Sequence, residues 1–299
     1  MQSTIELIEE RLPLMSKGHK AIANYIIKDY DKAAYMTASK LGEETGVSES
    51  TVVRFTTELG FEGYPHFQAA LKEELKSKLT SVQRLNYTER FEDDASAIRD
   101  IIKADMENIR DTLASIDEDA MSEAVRSILK ARKIYIMGLR SSAPLSSFMH
   151  FYMTLLFDDV VHIHSNSTNE VFEQIMPITS DDVMIGISFP RYSKRTINSM
   201  EYAKQKGARV IVITDKDNTP MTEFADVKIF AKSSMAAFVD SLAAPLSLIN
   251  ALLVTLGMHR REHIVHSFEA LEMLWSRYSV YDVGRDRNSD EIIEEEKKE

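Results

Sequence analysis

Two stretches in the second half of the chain combine serine hydroxyls with basic side chains, a set of donors suited to an anion. The first is Gly-Leu-Arg-Ser-Ser-Ala at residues 138–143, and the second is Ser-Phe-Pro-Arg-Tyr-Ser-Lys-Arg-Thr at residues 188–196. Each follows a short apolar run and precedes a stretch of helical period, so each is predicted to turn from a strand into a helix. Such a turn offers free backbone N–H groups at the positive end of a helix dipole, which favours an anion such as phosphate.

Serine and threonine hydroxyls in these loops add hydrogen-bond donors, and Arg191 or Lys194 adds positive charge. The serines could instead do no more than cap the two helices. Two such loops at the ends of adjacent predicted strands favour a shared binding site over two independent caps. The residues therefore predict a pocket for a phosphorylated small molecule. No catalytic residue and no cofactor is assigned to it.

Residues 46–61 have the spacing of a short helix with one apolar face. Ser48 is placed to cap its first turn, and Gly60 is placed to end it in a left-handed conformation. The apolar face is predicted from residues at helical spacing, namely Val52, Phe55 and Leu59. A shorter amphipathic helix over residues 38–45, with Thr37 as its cap, comes just before. Two short helices joined by a tight glycine-containing turn predict a helix-turn-helix.

The other face of the second helix is small and polar, and consists of Ser50, Thr51, Arg54 and Thr57. Short hydroxyls with one arginine suit close approach to a nucleic-acid groove, where Arg54 would reach a guanine edge or a phosphate. A helical hairpin that only packs is the alternative interpretation. We favour DNA binding, because this face has no apolar residue that requires a partner.

The acidity of the chain weighs against DNA binding by bulk electrostatic attraction. Its 299 residues have a net charge of −11, whereas phosphate neutralisation supplies much of the affinity for DNA. A dimeric regulator can still concentrate a few basic residues on one face. The absence of cysteine excludes disulfides and thiolate zinc sites. With no apolar run near the roughly 18 to 20 residues of a membrane span and no signal-peptide pattern, we expect a cytoplasmic protein without membrane contact.

The second half of the chain contains five short apolar runs, separated mostly by stretches of helical period. The runs lie at residues 133–138, 160–164, 182–188, 209–214 and 226–230. Near-continuous apolar strands that alternate with helices are typical of a parallel sheet covered on both faces. We therefore predict an α/β domain with a mainly parallel five-stranded sheet flanked by helices, preceded by an all-α N-terminal domain. Ligands bind outside the carboxyl ends of such strands, where both serine-rich loops are expected.

A long helical stretch that begins at Ala95 connects the two halves. Its apolar residues recur in helical register, at Ile98, Ile101, Ile102, Met106, Ile109 and Leu113. This face is expected either to bury against the sheet or to bring two subunits together.

The combination resembles the RpiR/MurR family of bacterial transcriptional regulators, which have a helix-turn-helix head and a C-terminal SIS (sugar isomerase) domain. In the head, the resemblance rests on Ser-x-Ser-Thr-Val-x-Arg at residues 48–54, followed by Leu-Gly-Phe at 59–61 and Gly-Tyr at 63–64. The family implies DNA contacts from the exposed recognition-helix residues. With the cap residue included, the predicted DNA-binding residues are Ser48, Ser50, Thr51, Arg54 and Thr57.

In the second half, residues 138–142 match the position of the first Gly/Ser loop of the SIS domain. The second loop of the family resembles Ser-x-Ser-Gly-x-Thr, and here Pro190 and Arg191 replace the middle serine and glycine. Arg191 could add a charged clamp on a phosphate or a larger acid, or it could block the pocket and leave a SIS fold used only for dimerisation. We predict a working pocket with the ligand-binding residues Ser141, Ser142, Ser188, Arg191 and Ser193.

These elements predict four segments. A helix-turn-helix DNA-binding domain occupies residues 1–78, and a linker with the connecting helix occupies residues 79–107. The SIS ligand-binding domain occupies residues 108–282. An acidic, disordered tail occupies residues 283–299.

The histidines and carboxylates offer other possible chemistry. His259 and His263 are four residues apart and could form a metal pair on one helix, but the pattern lacks a His-Glu-x-x-His arrangement, so no metal site is predicted. A sugar-phosphate isomerase is the enzymatic alternative, and it would need a general base such as Glu170 or Glu173. A pure protein-interaction module is a third possibility.

We therefore predict a sequence-specific transcriptional regulator and not an enzyme. Its partners are predicted to be operator DNA, a second copy of the chain in a homodimer or tetramer, and a small-molecule effector. The effector is expected to be a sugar phosphate or a sugar acid that modulates DNA binding from the SIS domain.

Overall fold

The computed structural model describes residues 4–78, 84–85, 91–165, 167–234 and 238–280. The tail predicted for residues 283–299 lies outside this set. The N-terminal part, residues 4–78, is a bundle of short helices that we call the head. Its helices are α1 (Thr4–Arg11), α2 (Lys17–Lys28), α3 (Tyr30–Ala33), α4 (Ala38–Thr45), α5 (Glu49–Glu58) and α6 (Tyr64–Lys78), with a 3-10 turn at Leu12–Leu14.

The helices of the head share one apolar core, to which most of them contribute a stripe at helical spacing. Its members include Ile8, Ile22, Ile26, Leu41, Val52, Phe55, Leu59, Phe67 and Leu71. The hydroxyl of Tyr64 and the amide of Gln68 both donate to the carbonyl of Met36, at 2.7 and 2.6 Å. These two bonds fix α6 to the residue that leads into the helix-turn-helix.

The turn between α4 and α5 is tight because two glycines permit it. Gly46 ends α4 in the left-handed region, at φ 69°. A Cβ on Gly42 would lie 2.8 Å from the carbonyl oxygen of Val47, so only glycine lets α4 approach the turn this closely. The predicted caps Thr37 and Ser48 both accept a backbone N–H in the first turn of their helices, as expected.

The second half is an α/β domain whose sheet has five strands, all parallel, in the order β2-β1-β3-β4-β5. The prediction of a mainly parallel five-stranded sheet flanked by helices is confirmed. The strands are β1 (Ile134–Gly138), β2 (Val160–Ile163), β3 (Val183–Ile187), β4 (Arg209–Thr214) and β5 (Val227–Phe230). The helices are α7 (Asp94–Ala114), α8 (Glu118–Lys130), α9 (Ala143–Leu156), α10 (Thr168–Ile175), α11 (Lys194–Gln205), α12 (Ala243–His259) and α13 (Arg261–Tyr278).

Helices cover both faces of the sheet, which explains why the strands are apolar along their length. One face packs against α8, α9 and α12 around residues such as Ile136, Ile185 and Ile213. The other packs against α10 and α11 around Met137, Met184 and Val212. All five residues of β1 and all five of β3 are buried, so the central strands cannot slip without exposing apolar surface.

The connecting helix α7 packs against α12 and leaves most of its predicted apolar face uncovered within the chain. The exposed members are Ile98, Ile102, Met106, Ile109 and Leu113, which are 40% to 71% exposed. The residues that α7 buries are instead the polar Asn108 and Thr112. Of the two expected locations for this face, burial against the sheet is therefore wrong.

His259 and His263 lie on two different helices and not on one. His259 is the last residue of α12, and the chain breaks its helical path at Arg260 before α13 begins. His263 lies on α13, with Nε2 at 4.0 Å from a carboxylate oxygen of Asp158. The four-residue spacing therefore does not place the two imidazoles on one helical face.

Candidate functional site

A pocket of about 160 Å³ lies at the carboxyl edge of the sheet, between the loops that follow β1 and β3. Both predicted loops contribute to it, and so does one residue from beyond β5. The lining residues are Leu139, Arg140, Ser141, Ser142, Ser188, Phe189, Pro190, Arg191, Ser193 and Asp240. The five predicted ligand-binding residues therefore all border one cavity. This is the position at which ligands bind in open parallel sheets.

The first loop is compact because Gly138 has no side chain. A Cβ there would lie 2.7 Å from the carbonyl oxygen of Ser142 and 3.0 Å from the Cβ of Ser146. The loop then forms a 3-10 turn at Arg140–Ser142 and continues directly into α9. Ser141 is exposed and Ser142 is buried, and the side chain of Ser142 does not cap α9. α9 therefore begins, without a side-chain cap from Ser142, directly after two residues that line the cavity.

The second loop is held by serine hydroxyls that also border the pocket. The Oγ of Ser188 accepts the backbone N–H of Ser193 at 3.1 Å. Ser193 is the N-cap of α11, and its Oγ accepts the backbone N–H of Thr196 at 3.3 Å. Ser193 therefore caps α11 and also lines the pocket. Ser188 is buried, and its hydroxyl fixes the loop while the residue lines the cavity.

An arginine in the left-handed region lies on each side of the pocket. Arg140 has φ 57° and Arg191 has φ 67°, in a region where a non-glycine residue costs roughly 1–2 kcal/mol. Arg191 stands where the resembling family has glycine, and it keeps the conformation that a glycine would adopt there. Both side chains are exposed at the cavity. At this position the loop therefore has a backbone conformation that glycine favours together with a guanidinium at the cavity.

Tyr192 does not join the pocket. Its hydroxyl donates to a carboxylate oxygen of Asp215 at 2.8 Å, and its ring packs in the core on the helix α11 side of the sheet. Burial, with the adjacent negative charge of Asp215, raises the pKa of Tyr192 well above its usual range. This side chain anchors the loop and leaves Arg191 as the residue that faces the cavity.

Asp240 is the pocket residue that sequence reasoning missed. It lies in the stretch between β5 and α12, and its Oδ1 accepts from Nη1 of Arg84 at 2.7 Å. The Arg84 side chain is 3% exposed, although the residue precedes α7 in the chain. The predicted site takes residues only from the loops after β1 and β3, whereas the carboxyl end of β5 opens on the same edge of the parallel sheet. The position of this stretch after the fifth apolar run is the signal for it in the sequence.

Beneath the first loop, the buried Ser146 and the half-buried His162 form a polar contact. Nε2 of His162 lies 3.0 Å from Oγ of Ser146, which in turn donates to the carbonyl of Gly138. The His162 ring stacks on His150 at 5.0 Å between centroids. Burial, reinforced by the neighbouring His150 and His164, lowers the pKa of His162 to about 4. This side chain is therefore neutral near pH 7 and supports the loop from within.

The enzymatic alternative required a carboxylate base, and the two named candidates lie outside the pocket lining. The hydroxyl of Ser165 donates to the Glu170 carboxylate at the start of α10. Neither Glu170 nor Glu173 borders the cavity. Among its described lining residues, Asp240 is the only carboxylate, and it is paired with Arg84.

The second candidate site is the polar face of α5 in the head. Ser50, Arg54 and Thr57 are exposed, and Thr51 is half-buried. At the start of the helix, Oγ of Ser48 lies 2.9 Å from Oγ of Ser50 and 2.8 Å from Oγ1 of Thr51. The structure therefore places the five predicted residues at the N-terminal turns and along the outer face of α5. That is the part of a recognition helix that meets base edges in helix-turn-helix proteins.

The core beneath α5 fixes the direction of this face. Val52 and Phe55 are buried, and the Phe55 ring packs edge-on against His19 at 5.6 Å between centroids. Nδ1 of His19 lies 3.0 Å from a carboxylate oxygen of Glu58, which ties α2 to the end of α5. Arg54 is thereby left on the outside of the contact between α2 and α5.

Two features that other functions would need are absent from the described part of the chain. None of its helices is both long enough and apolar enough to cross a bilayer. No group of three or more His, Asp or Glu side chains within the described ranges is placed to hold a metal ion.

Comparison with known proteins gives two domain matches. The helix-turn-helix domain of the rpiR family matches residues 2–78, and the SIS domain matches residues 127–255. An HTH-type transcriptional regulator of Haemophilus influenzae is 29% identical over 214 residues, which are 71% of this chain and 74% of that protein. The regulator HexR of Escherichia coli is 26% identical over 231 residues, which are 75% of this chain and 76% of HexR.

Solved structures show the same fold. The Vibrio vulnificus NanR protein complexed with ManNAc-6P is 18% identical, with a TM-score of 0.56, and the match covers 91% of this chain and 97% of NanR. The sugar isomerase domain of an RpiR transcription factor from Sphaerobacter thermophilus is 21% identical, with a TM-score of 0.56. That match covers 58% of this chain and 97% of the domain.

Proposed function

Because this chain belongs to the RpiR family of transcriptional regulators, with a helix-turn-helix and a SIS domain, we propose that a phosphorylated sugar or sugar acid modulates its binding to operator DNA. The effector occupies the pocket between the loops after β1 and β3. The head reads DNA through Ser48, Ser50, Thr51, Arg54 and Thr57, with Arg54 contacting a base edge or a phosphate.

The observation that carries this proposal is the convergence of two hydroxyl-rich loops and two arginines on one cavity. Ser141, Ser142, Ser188 and Ser193 supply donors, and the guanidiniums of Arg140 and Arg191 supply charge. The first turns of α9 and α11 add the positive ends of two helix dipoles. A phosphate group uses all three kinds of interaction, whereas a neutral ligand would gain no charge-assisted hydrogen bond from the two guanidiniums.

The ligand of a protein with the same fold is consistent with this chemistry. NanR was solved with ManNAc-6P, a phosphosugar, and its match extends over most of the present chain. A pocket of about 160 Å³ accommodates a phosphate and part of a sugar, so the remainder of a phosphosugar would extend toward the mouth. Arg140 and Arg191 border that opening.

A regulator accounts for the site better than a sugar-phosphate isomerase. Isomerisation requires a base whose carboxylate or imidazole can reach the sugar carbons. Asp240, the one carboxylate among the described lining residues, is engaged in an ion pair with Arg84 at 2.7 Å. A helix-turn-helix also has no use in that chemistry. We accordingly assign no catalytic residue to the pocket and place the action of the protein in the cytoplasm, where operator DNA is found.

Self-association belongs to the same proposal, because a two-fold protein matches a two-fold operator. The exposed apolar face of α7 offers one contact surface, and α13, an 18-residue helix with no buried residue within the chain, offers another. We keep 1–78, 79–107 and 108–282 as the proposed bounds of head, linker with connecting helix, and effector domain. A homodimer or tetramer is expected.

The DNA-binding part is tested with the full-length protein and a fluorescent duplex from its own upstream region. We expect salt-sensitive binding, weakened by about 1–3 kcal/mol in Arg54→Ala. Arg99→Ala is the matched control, because it removes the same charge from the exposed surface of α7. Equal affinities for Arg54→Ala, Arg99→Ala and the wild type would remove Arg54 from the interface.

The pocket is tested by thermal shift against a panel of hexose 6-phosphates, ManNAc-6P and sugar acids. At least one compound should raise the unfolding temperature of the wild type, by mass action on the folded state. Ser188→Ala should lose that shift. The same shift in Ser188→Ala and in the wild type would place the ligand elsewhere.

A further inference from the structure

The start of α2 lies beside α5 and carries two exposed lysines, Lys17 and Lys20. We propose that these two lysines contact DNA phosphates and thereby fix where α5 lies along the duplex. The inference rests on the proposed function, because it concerns how the head holds the DNA that α5 reads. It adds a phosphate-contacting surface from a helix outside the helix-turn-helix.

The first turn of α2 packs against the start of α5 at Gly18. A Cβ on Gly18 would lie 3.5 Å from Cγ1 of Val47 and 3.6 Å from Cγ2 of Thr51. Val47 belongs to the turn before α5, and Thr51 belongs to the first turn of α5. Lys17 comes directly before this contact. It therefore lies beside the end of α5 that meets base edges in helix-turn-helix proteins.

Contacts on either side of Lys17 hold this turn in place. The Oγ of Ser16 accepts the backbone N–H of His19 at 3.3 Å and caps α2. Nδ1 of His19 lies 3.0 Å from a carboxylate oxygen of Glu58, so the same turn is also attached to the far end of α5. Lys17 and Lys20 are three residues apart on this helix, and their side chains are therefore neighbours on its outer face.

α2 is a basic helix in an acidic chain. Its 12 residues include three lysines and no aspartate or glutamate, whereas the whole chain has a net charge of −11. Within the described ranges, neither Lys17 nor Lys20 is paired with a carboxylate. Because phosphate neutralisation supplies much of the affinity for DNA, these ammonium groups place positive charge where the head needs it.

The helix-turn-helix itself does not offer an excess of positive charge. In such motifs the first helix crosses the DNA backbone, and here that helix is α4. Its one lysine, Lys40, lies 3.2 Å from a carboxylate oxygen of Glu43 and 3.4 Å from one of Glu44. α5 likewise has one arginine and two glutamates. The lysines of α2 are therefore better placed to neutralise phosphate than the lysine of α4.

Loss of a phosphate contact has a signature in salt. Lys17→Gln and Lys20→Gln should each reduce the slope of log affinity against log salt by about 1. Each variant should also weaken binding to an unrelated duplex by the same factor as binding to the upstream duplex, because phosphates carry no sequence information. A lysine variant that weakens only the upstream complex would place that lysine at a base and contradict the phosphate contact.

Lys28→Gln is the matched control on the same helix. Lys28 is the last residue of α2, is exposed, and lies about 16 Å along the helix from Lys17. This variant should keep the wild-type slope. Glutamine has nearly the helix propensity of lysine, so α2 should remain intact in all three variants. Lys17→Arg keeps the positive charge and should also keep the wild-type slope.

The deciding experiment measures fluorescence anisotropy on the full chain with the two labelled duplexes at a series of salt concentrations. Between about 50 and about 200 mM salt, Lys17→Gln and Lys20→Gln should each lose roughly threefold less affinity than the wild type. A lysine whose variant has the same slope as Lys28→Gln makes no phosphate contact.

Two outcomes separate this inference from the proposed function. If Arg54→Ala weakens binding while both lysine variants match Lys28→Gln, the phosphate-contacting surface of α2 is overturned and DNA reading by α5 stands. If the wild type shows no salt-sensitive binding to the upstream duplex, the proposed function fails, and this inference fails with it.

Discussion

At the scale of single residues, the pocket depends on side-chain charge and on backbone conformation at the same positions. Arg140 and Arg191 both adopt positive φ, and both face the cavity. Strained backbone at a ligand site persists only where surrounding contacts enforce it. Around Arg191, the enforcing contacts are the Tyr192–Asp215 hydrogen bond and the bond from the Ser193 N–H to Ser188. These neighbouring contacts hold the strained backbone, and Arg191 itself supplies the positive charge at the cavity.

Replacing Arg191 with glycine separates the two contributions. Glycine accepts φ 67° without penalty but adds freedom to the unfolded chain, so the unfolding temperature should change little. Phosphate affinity should fall about tenfold or more, because one charge-assisted hydrogen bond contributes about 1.5–3 kcal/mol. Titration calorimetry and a thermal melt measure the two quantities. The control is Asn218→Gly, because Asn218 also has a positive φ of 56° but lies outside the pocket lining. This variant should leave phosphate affinity unchanged. Unaltered phosphate binding in Arg191→Gly would exclude Arg191 from the site.

The low pKa of His162 predicts how the stability of the folded protein depends on pH. Its folded pKa of about 4 lies below the ordinary value of 6.5, so the folded state favours the neutral imidazole. The associated stability is fully present above pH 6.5 and is lost as the pH falls toward 4. In chemical denaturation, His162→Gln should lose less stability than the wild type over this range. NMR of the labelled ring should give an apparent pKa near 4, and a titration near 6.5 would contradict the buried contact with Ser146.

At the scale of elements, the head depends on how closely α4 approaches the turn before α5. That approach is set by Gly42, whose position leaves no space for a side chain beside the Val47 carbonyl. The Val47 N–H in turn bonds the Gly42 carbonyl at 2.9 Å. The angle between the two helices, and with it the direction of Arg54, follows from this backbone contact.

Gly42→Ala should therefore weaken the head in spite of the better helix propensity of alanine. The added Cβ would meet a backbone atom at 2.8 Å, and overpacking of this kind costs about 1–3 kcal/mol. DNA affinity and the protection of α4 and α5 against hydrogen exchange should both fall. Gly257→Ala in α12 is the matched control, because its Cβ would meet only the Cδ2 of Leu156 at 3.9 Å. Normal DNA binding by Gly42→Ala would mean that the turn tolerates a different packing.

Elements with a strong period could be predicted from sequence, whereas contacts between distant segments could not. The strands and the caps at Thr37 and Ser48 were predictable because apolar runs and capping residues act locally. Asp240 was missed because it follows the last strand and its partner precedes α7. His259 and His263 do not share a helix, because the helical path breaks at Arg260. The spacing of the residues does not predict this break. The conformation of Arg191 could be anticipated only by comparing its position with the glycine of the family loop.

At the scale of the whole molecule, the single chain leaves apolar surface that a regulator would cover by self-association. The stripe on α7 and helix α13, with Phe268 and Met273 among its exposed residues, account for much of it. Exposed apolar surface on this scale is typical of protein–protein contacts. Two heads on one assembly would also gather basic residues of an acidic chain at a shared DNA face.

The mass of the protein in solution tests whether this apolar surface mediates self-association. Light scattering coupled to gel filtration should give a dimer or tetramer, and Met106→Glu should shift it toward a lower mass because a charge would enter the apolar contact. Lys103→Glu, at an exposed position on the same helix, should retain the wild-type mass. A wild type that elutes as a monomer at all concentrations would contradict the expected assembly.

The most direct test of the central claim is the affinity for upstream DNA with and without a phosphosugar. Fluorescence anisotropy on the full chain, with each hexose 6-phosphate and ManNAc-6P in turn, measures both states at constant ionic strength. At least one compound should change the dissociation constant by about fivefold or more, and Ser188→Ala should bind DNA normally while losing that response. A protein that binds its DNA with the same affinity in the presence of every compound that occupies the pocket would contradict the account.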